Sequence, residues 1–342
     1  MQFIRSSIPA VSAASPPAAS LRSSPAQSKE DLELLHAADE EIGRRFPKMN
    51  SFVVTRQETI LIERYYNGLD LHELHDLRSA TKSILSILLG VASYRGELPP
   101  LDAPFASSLR QYAGRNLDPL WEQLTLRHLL TMTTGFCWKT GAKMGEAFIH
   151  RLHQSRSWIK YILHLPIEKH NIGTFQYCSV DSHLLSILLT EWTGLSAADY
   201  AEKYLFGPLG IQNYVWKASP EGHSMGHIGL HLTALDMAKL GLLCLQRGIW
   251  EGECLLAAEW LKRSMTPLSA EIPGYGRYGE HWWTAKVNGV PYAYAHGHGG
   301  QQINVIPSLD AVVVFTAASD LNRWKNPRPL LEKYIMPALK HS

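Results

Sequence analysis

A serine and a lysine stand three residues apart where a long apolar run begins. The segment is Leu77-Arg78-Ser79-Ala80-Thr81-Lys82-Ser83, followed by Ile84 to Ala92. Only Ser83 and Ser86 interrupt the run, so the pattern predicts a helix buried nearly all round rather than an amphipathic one. Such a helix must sit deep in a large core. Positions i and i+3 share a helix face, which brings the Lys82 side chain within reach of the Ser79 hydroxyl. Burial disfavours the charged form of an amine, and a neutral lysine beside a serine activates a weak nucleophile. Taken alone, Ser79-x-x-Lys82 also describes an ordinary helix start with a solvated lysine. Arg95 and Gly96 supply the stop.

Upstream, Ser28 with Glu30, Asp31 and Glu33 forms an N-cap and acidic first turn. Helical periodicity then runs to about Phe46. Phe52 to Thr55 and Thr59 to Tyr66 are β-type runs joined by a short polar turn at 56–58, a hairpin signal. From about 100 to 225 strand patterns fade. Short helices are expected at 126–136, ending at Gly135, at 158–165, and at 181–193. Beyond 229 come helices at 234–246 and 257–264, strands at 280–287, 290–295, 302–306 and 311–316, and a terminal helix at 329–339. Closely spaced strands imply an antiparallel sheet. The expected architecture is α/β (α+β): an antiparallel sheet built from both ends of the chain, the buried Ser79 helix against it, and a mostly helical lobe alongside. The domain limits are then a disordered tail at 1–28 and one catalytic domain at 29–342. Within it an α/β lobe covers 29–100 and 226–342, and a helical lobe covers 101–225. A cleft between lobes is a common ligand site.

The 342 residues suit one large unit of this kind. Hydrophobic residues at 45% allow a sizeable core, and a formal charge of +2 without any basic block argues against nucleic acid as a partner. No apolar stretch approaches the ~18 residues of a membrane span. Cys137, Cys178, Cys244 and Cys254 are scattered, which favours free buried thiols over a disulfide framework. His223, His227 and His231 recur every four residues, but Gly222, Gly226 and Gly229 argue against a continuous helix, so no metal site is expected. The Ser-, Ala- and Pro-rich start makes a poor signal-peptide core, which points to a cytoplasmic protein.

Two further stretches carry candidate chemistry. Gly173-Thr174-Phe175-Gln176-Tyr177-Cys178-Ser179 forms a turn with an exposed-looking aromatic, and Tyr177 is either a packed loop residue or a proton shuttle. His296-Gly297-His298-Gly299-Gly300-Gln301-Gln302 precedes a strand. Its glycines allow close backbone approach to a ligand, and an exposed edge strand there supplies an N–H to an oxyanion. A phosphate site does not fit, because no helix start follows.

Ser79-x-x-Lys82, Tyr177-Cys178-Ser179 and His298-Gly299-Gly300 occur in this order at intervals of roughly one hundred residues. That series resembles the serine β-lactamase and penicillin-recognising superfamily, with its S-x-x-K, Y-x-N and K-T-G or H-x-G elements. It is most similar to the class C β-lactamase-related group, which includes family VIII esterases and 6-aminohexanoate-dimer hydrolases. Leu129 to Gly135, Leu232 to Gly241 and Trp282-Trp283 resemble its connecting segments, and the likeness covers about residues 50–320.

The resemblance implies Ser79 as nucleophile, Lys82 and Tyr177 as acid/base groups, and Ser79 and Gln301 N–H as the oxyanion hole, with Ser179, His298, Gly299 and Gly300 contacting substrate. The order of Lys82 and Tyr177 as base stays open. No cofactor is implied, and the partner is a small ester, amide or peptide-like substrate. Two departures matter. Ser179 replaces asparagine, and His298 replaces lysine, which weakens attraction for the carboxylate of a β-lactam or peptide. Both favour an esterase or small-amide hydrolase over the alternatives, a β-lactamase or D,D-peptidase and a non-catalytic binder of the same fold.

Overall fold

The computed structural model describes residues 22–23, 29–113, 117–319 and 324–340. Its strands, in chain order, are β1 Arg22–Ser23, β2 Met49–Arg56, β3 Thr59–Tyr65, β4 His75–Asp76, β5 Val215–Trp216, β6 Leu230–Leu232, β7 Ile249–Trp250, β8 Glu253–Cys254, β9 Arg277–Tyr278, β10 Trp283–Val287, β11 Val290–Gly297, β12 Gln301–Ile306 and β13 Ala311–Ala317. The main sheet runs β1-β3-β2-β13-β12-β11-β10-β9. Strands from the two ends of the chain meet where β2 pairs antiparallel with β13, Val54 opposite Val313. The β2–β3 turn is made by Gln57 and Glu58, both with positive φ (48° and 64°). Every pairing in this sheet is antiparallel except β1 with β3. Arg22–Ser23 thus form a strand inside the segment expected to be a disordered tail; most of that segment lies outside the described residues.

Strand β13 is buried on both faces, which explains its unbroken apolar run. Side chains alternate across a strand. Val312 and Val314 join the core around the Ser79 helix and the helix Ala234–Leu245. Val313 and Phe315 join a second core with Leu35, Ala38 and Ile42 of the first helix, Lys29–Arg45. Gly241 is where the 234–245 helix touches the sheet: a Cβ there would lie 2.5 Å from Val312 Cγ1.

The run after Ser79 is helical over Thr81–Tyr94 and buried from Thr81 to Ala92. Its two polar interruptions set its register. Ser83 Oγ donates to the His281 carbonyl (2.6 Å), and Ser86 Oγ donates to the Glu280 carbonyl (3.1 Å). Against this helix lies Ser179–Thr193, buried from Ser179 to Leu189. It begins two residues earlier than the periodicity predicts. The helix at Leu126–Thr131 ends before Gly135, because Met132 takes the left-handed conformation (φ 55°) at its C-cap. All four cysteines are free, but Cys137 and Cys254 are exposed, contrary to the expectation of buried thiols. Among the described residues no helix is long and apolar enough to cross a membrane.

Candidate active site

Ser79 sits in a 3-10 turn, Arg78–Ala80, that leads into the buried helix. The turn is strained, since Arg78 has φ 49°. It is held by Asp76, which accepts from the Arg78 N–H (2.9 Å) and pairs with its guanidinium (3.2 Å), while that guanidinium also donates to the Ser319 carbonyl (2.9 Å). First-turn N–H groups of a helix have no intrahelical acceptor, so the Ser79 amide lies where an anion is favoured. Lys82 is 1% exposed. Its Nζ donates to Ser79 Oγ (3.1 Å) and to the His227 carbonyl (3.3 Å). The i, i+3 contact expected from the spacing is therefore made.

Tyr177 is buried, not exposed as its turn context predicts. It stacks on Trp283 (centroids 5.9 Å apart, planes at 27°) and meets Tyr278 edge-on at 5.9 Å. Lys82 Nζ lies 4.8 Å from its ring centroid, a cation–π distance. Lysine and tyrosine thus meet through the ring face. Burial raises the neighbouring Tyr278 hydroxyl well above its usual range and raises Tyr275 as well, with Tyr177 adding to both.

Ser179 points elsewhere. As the first residue of its helix, it donates its N–H to Glu146 Oε1 (2.6 Å) and its hydroxyl to Glu146 Oε2. Trp138 Nε1 donates to the same carboxylate (2.7 Å). Glu146 therefore does the capping that Cys178 does not, with a negative charge at a helix N-terminus. Sequence reading missed it, because a cap supplied from 33 residues upstream leaves no local pattern.

The third element is the β11–β12 turn. Strand β11 is internal to the sheet, not an edge. However, its pairing with β10 stops at Tyr294, opposite Trp283, so among the described residues Ala295 to Gly297 pair with β12 alone. This short free edge faces the Ser79 turn. Gly297 is required there, since a Cβ would lie 2.1 Å from the Leu77 carbonyl oxygen. Gly299 and Gly300 make the turn with φ of 92° and 103°.

A cavity of about 430 Å³ is lined by Ser79, Lys143, Met144, Tyr177, Tyr275, Trp283, His296, His298 and Trp324. Five expected site residues are not among them: Lys82, which reaches Ser79 from the buried helix, and Ser179, Gly299, Gly300 and Gln301. Gly299 and Gly300 line a separate, smaller cavity with Phe46 and Met49. Gln301 is fully buried, its side-chain amide bonded to the Ala317 carbonyl and N–H. Ser179 is held by Glu146. Trp283 and Trp324 face the cavity, while Trp138 donates to Glu146 and Trp282 is fully buried. Burial, with the nearby Arg328 guanidinium, pushes His296 down to about 3, so it is a neutral wall.

The regularly spaced histidines do not converge. His231 Nδ1 lies 3.1 Å from the Gly229 carbonyl and His223 packs on Tyr112, while His227 Nε2 lies 2.9 Å from His153 Nε2. Among the described residues no group of three or more histidine, cysteine or acidic side chains is arranged to hold a metal ion.

Comparison with known proteins identifies the fold and the family. A 6-aminohexanoate-dimer hydrolase from Paenarthrobacter ureafaciens is 22% identical, the match covering 81% of this chain and 73% of the relative. An octameric penicillin-binding protein homologue from Pyrococcus abyssi superposes with a TM-score of 0.68 at 19% identity, covering 92% of this chain and 78% of the other. A penicillin-binding protein homologue from Caulobacter crescentus gives 0.67 at 14% identity, covering 91% and 97%. These likenesses fix the β-lactamase/transpeptidase-like fold. The beta-lactamase family model matches residues 44–330, from the end of the first helix to the terminal one, and the chain is therefore a hydrolase belonging to the beta-lactamase family.

Proposed function

We propose that the protein hydrolyses esters or small linear amides through an acyl-enzyme on Ser79, without a cofactor. The observation that carries this reading is the 3.1 Å bond from buried Lys82 to a Ser79 hydroxyl that opens into a cavity also lined by Tyr177. Ser79 Oγ attacks the carbonyl carbon while its proton passes to Lys82, the group already bonded to it. The resulting oxyanion is held by the Ser79 N–H and by backbone at the free end of β11. Gly297 lies against the Ser79 turn and Gln301 does not line the cavity, which supports the Gly297–His298 segment rather than Gln301 as the source of the second donor. Collapse expels the alcohol or amine, which takes up a proton relayed by Lys82 and Tyr177. Water then attacks the acyl-enzyme, releasing the carboxylic acid and restoring Ser79.

Ester or small-amide chemistry is favoured over β-lactam turnover. Ser179, which stands where β-lactamases have asparagine, spends its hydroxyl on Glu146 and offers nothing to a substrate amide. His298 offers a weaker attraction than lysine for a carboxylate. The likeness to a 6-aminohexanoate-dimer hydrolase is in keeping with this. A short-chain p-nitrophenyl ester assay provides the test. The wild type turns over, and folded Ser79→Ala does not; retained turnover in that variant would sink the assignment. Nitrocefin hydrolysed faster than simple esters would instead favour a β-lactamase.

A further inference from the structure

Among the described residues, one side chain carries the charge on the cavity wall. Among the described lining residues there is no aspartate or glutamate, and Lys143 is the one lysine or arginine. Lys82 reaches Ser79 from the buried helix and is not on the wall. The remaining lining is largely aromatic: Tyr177, Tyr275, Trp283 and Trp324. On the described walls a substrate meets largely aromatic faces and the one cation of Lys143.

Lys143 is also placed deliberately. It lies in a tight reverse loop in which Thr140 bridges Glu146 and the Gly141 N–H donates to the Gly145 carbonyl (2.8 Å). The base of the loop is tied to the catalytic neighbourhood twice. Thr140 Oγ1 donates to the Tyr177 carbonyl, and Glu146 accepts from the Ser179 N–H at the start of the next helix. Its tip is tied once, by the Tyr275 hydroxyl donating to the Lys143 carbonyl (3.2 Å). Tyr275 in turn packs on Trp283 (5.1 Å) and His296 (5.6 Å), both of the cavity wall. The anchors fix the backbone of Lys143 and leave its ammonium exposed at the rim, with no ion pair or side-chain hydrogen bond to a described residue.

We infer that Lys143 is a specificity-determining residue that selects carboxylate-bearing esters or amides, pairing its ammonium with a substrate carboxylate while the scissile carbonyl sits at Ser79. This deepens the hydrolase reading above and rests on it. The aromatic walls would take the apolar chain between the two groups. An ammonium–carboxylate pair at the rim of a partly enclosed cavity is charge-assisted, and hydrogen bonds to charged groups are the stronger ones.

The test compares matched esters that differ in a carboxylate. Mono-4-nitrophenyl glutarate against 4-nitrophenyl pentanoate probes the acyl side, and 3-acetoxybenzoate against phenyl acetate probes the leaving-group side. The readout is the ratio of kcat/KM, anionic over neutral, within each pair. For Lys143→Glu that ratio is expected to fall about tenfold or more in at least one pair, while Lys143→Arg keeps it within a few-fold of wild type. Circular dichroism checks that each variant is folded. A ratio unmoved by Lys143→Glu in both pairs would overturn the inference. Failure of the underlying reading looks different: turnover of every ester would survive Ser79→Ala, whatever happens at Lys143.

Discussion

Ser79 and Lys82 illustrate how a three-residue spacing becomes chemistry. The helix that carries Lys82 is closed in on every side, so Lys82 cannot reach solvent and its Nζ is left with Ser79 Oγ and the His227 carbonyl. Lys82→Met removes the group that takes the serine proton, and turnover of a p-nitrophenyl ester should fall by on the order of 10²-fold or more. A variant within a few-fold of wild type would take the lysine out of the mechanism. Tyr177→Phe keeps the ring that packs on Trp283 and Lys82 and removes only the hydroxyl. Its kcat should drop by at least about tenfold with the fold intact; an unchanged kcat would reduce Tyr177 to a wall. The serine and lysine were legible because i and i+3 is a local geometry. The orientation of Ser179 was not, since it depends on Glu146 arriving from a distant loop. Lys143 and Glu146 lie in a stretch with no helical or strand periodicity, so nothing in the sequence tells which side chain faces the cavity.

At the scale of elements, two joints place the site. One is the contact of the β11 end with the Ser79 turn, where Gly297 has no room for a Cβ. Gly297→Ala should push the two apart, lowering stability by about 1–3 kcal/mol and removing most of the turnover. Urea unfolding and the ester assay read the two effects, and a stable, fully active variant would refute the contact. The other joint is Glu146, which caps the helix starting at Ser179 and ties it to Trp138. Glu146→Gln puts an amide donor against a partner that also donates, so a loss of about 1–3 kcal/mol is expected in the same unfolding experiment. The strands were readable from apolar runs and turns. What the sequence could not show is where pairing stops: the free edge at Ala295–Gly297 exists because β10 begins at Trp283.

For the whole molecule, the meeting of β2 with β13 closes one sheet from the two ends of the chain and buries the Ser79 helix beneath it. The alternation of strands and helices implied that closure. The strand at Arg22–Ser23 lay in a stretch with no β pattern of its own. The same burial makes stability depend on pH. His75 and His153 are pushed down to about 4, and His183, His281 and His296 to about 3, each chiefly by burial, against an ordinary value of 6.5. The unfolded chain takes up protons as pH falls through 6.5, whereas the folded chain resists until about 3–4. The stability present above pH 6.5 is thus lost progressively below it. Asp181 and Glu280, raised by burial, act in the opposite direction, but they are outnumbered. The urea midpoint should be lower at pH 5 than at pH 7.5; an equal or higher midpoint at pH 5 would contradict this account of the buried histidines.

The nucleophile is best tested by covalent capture. The protein is treated with a fluorophosphonate probe, and its intact mass and peptide map are recorded alongside Ser79→Ala and Lys82→Ala. The account predicts one adduct, on the peptide containing Ser79, absent from both variants. An adduct on another residue, or undiminished labelling of Ser79→Ala, would contradict it.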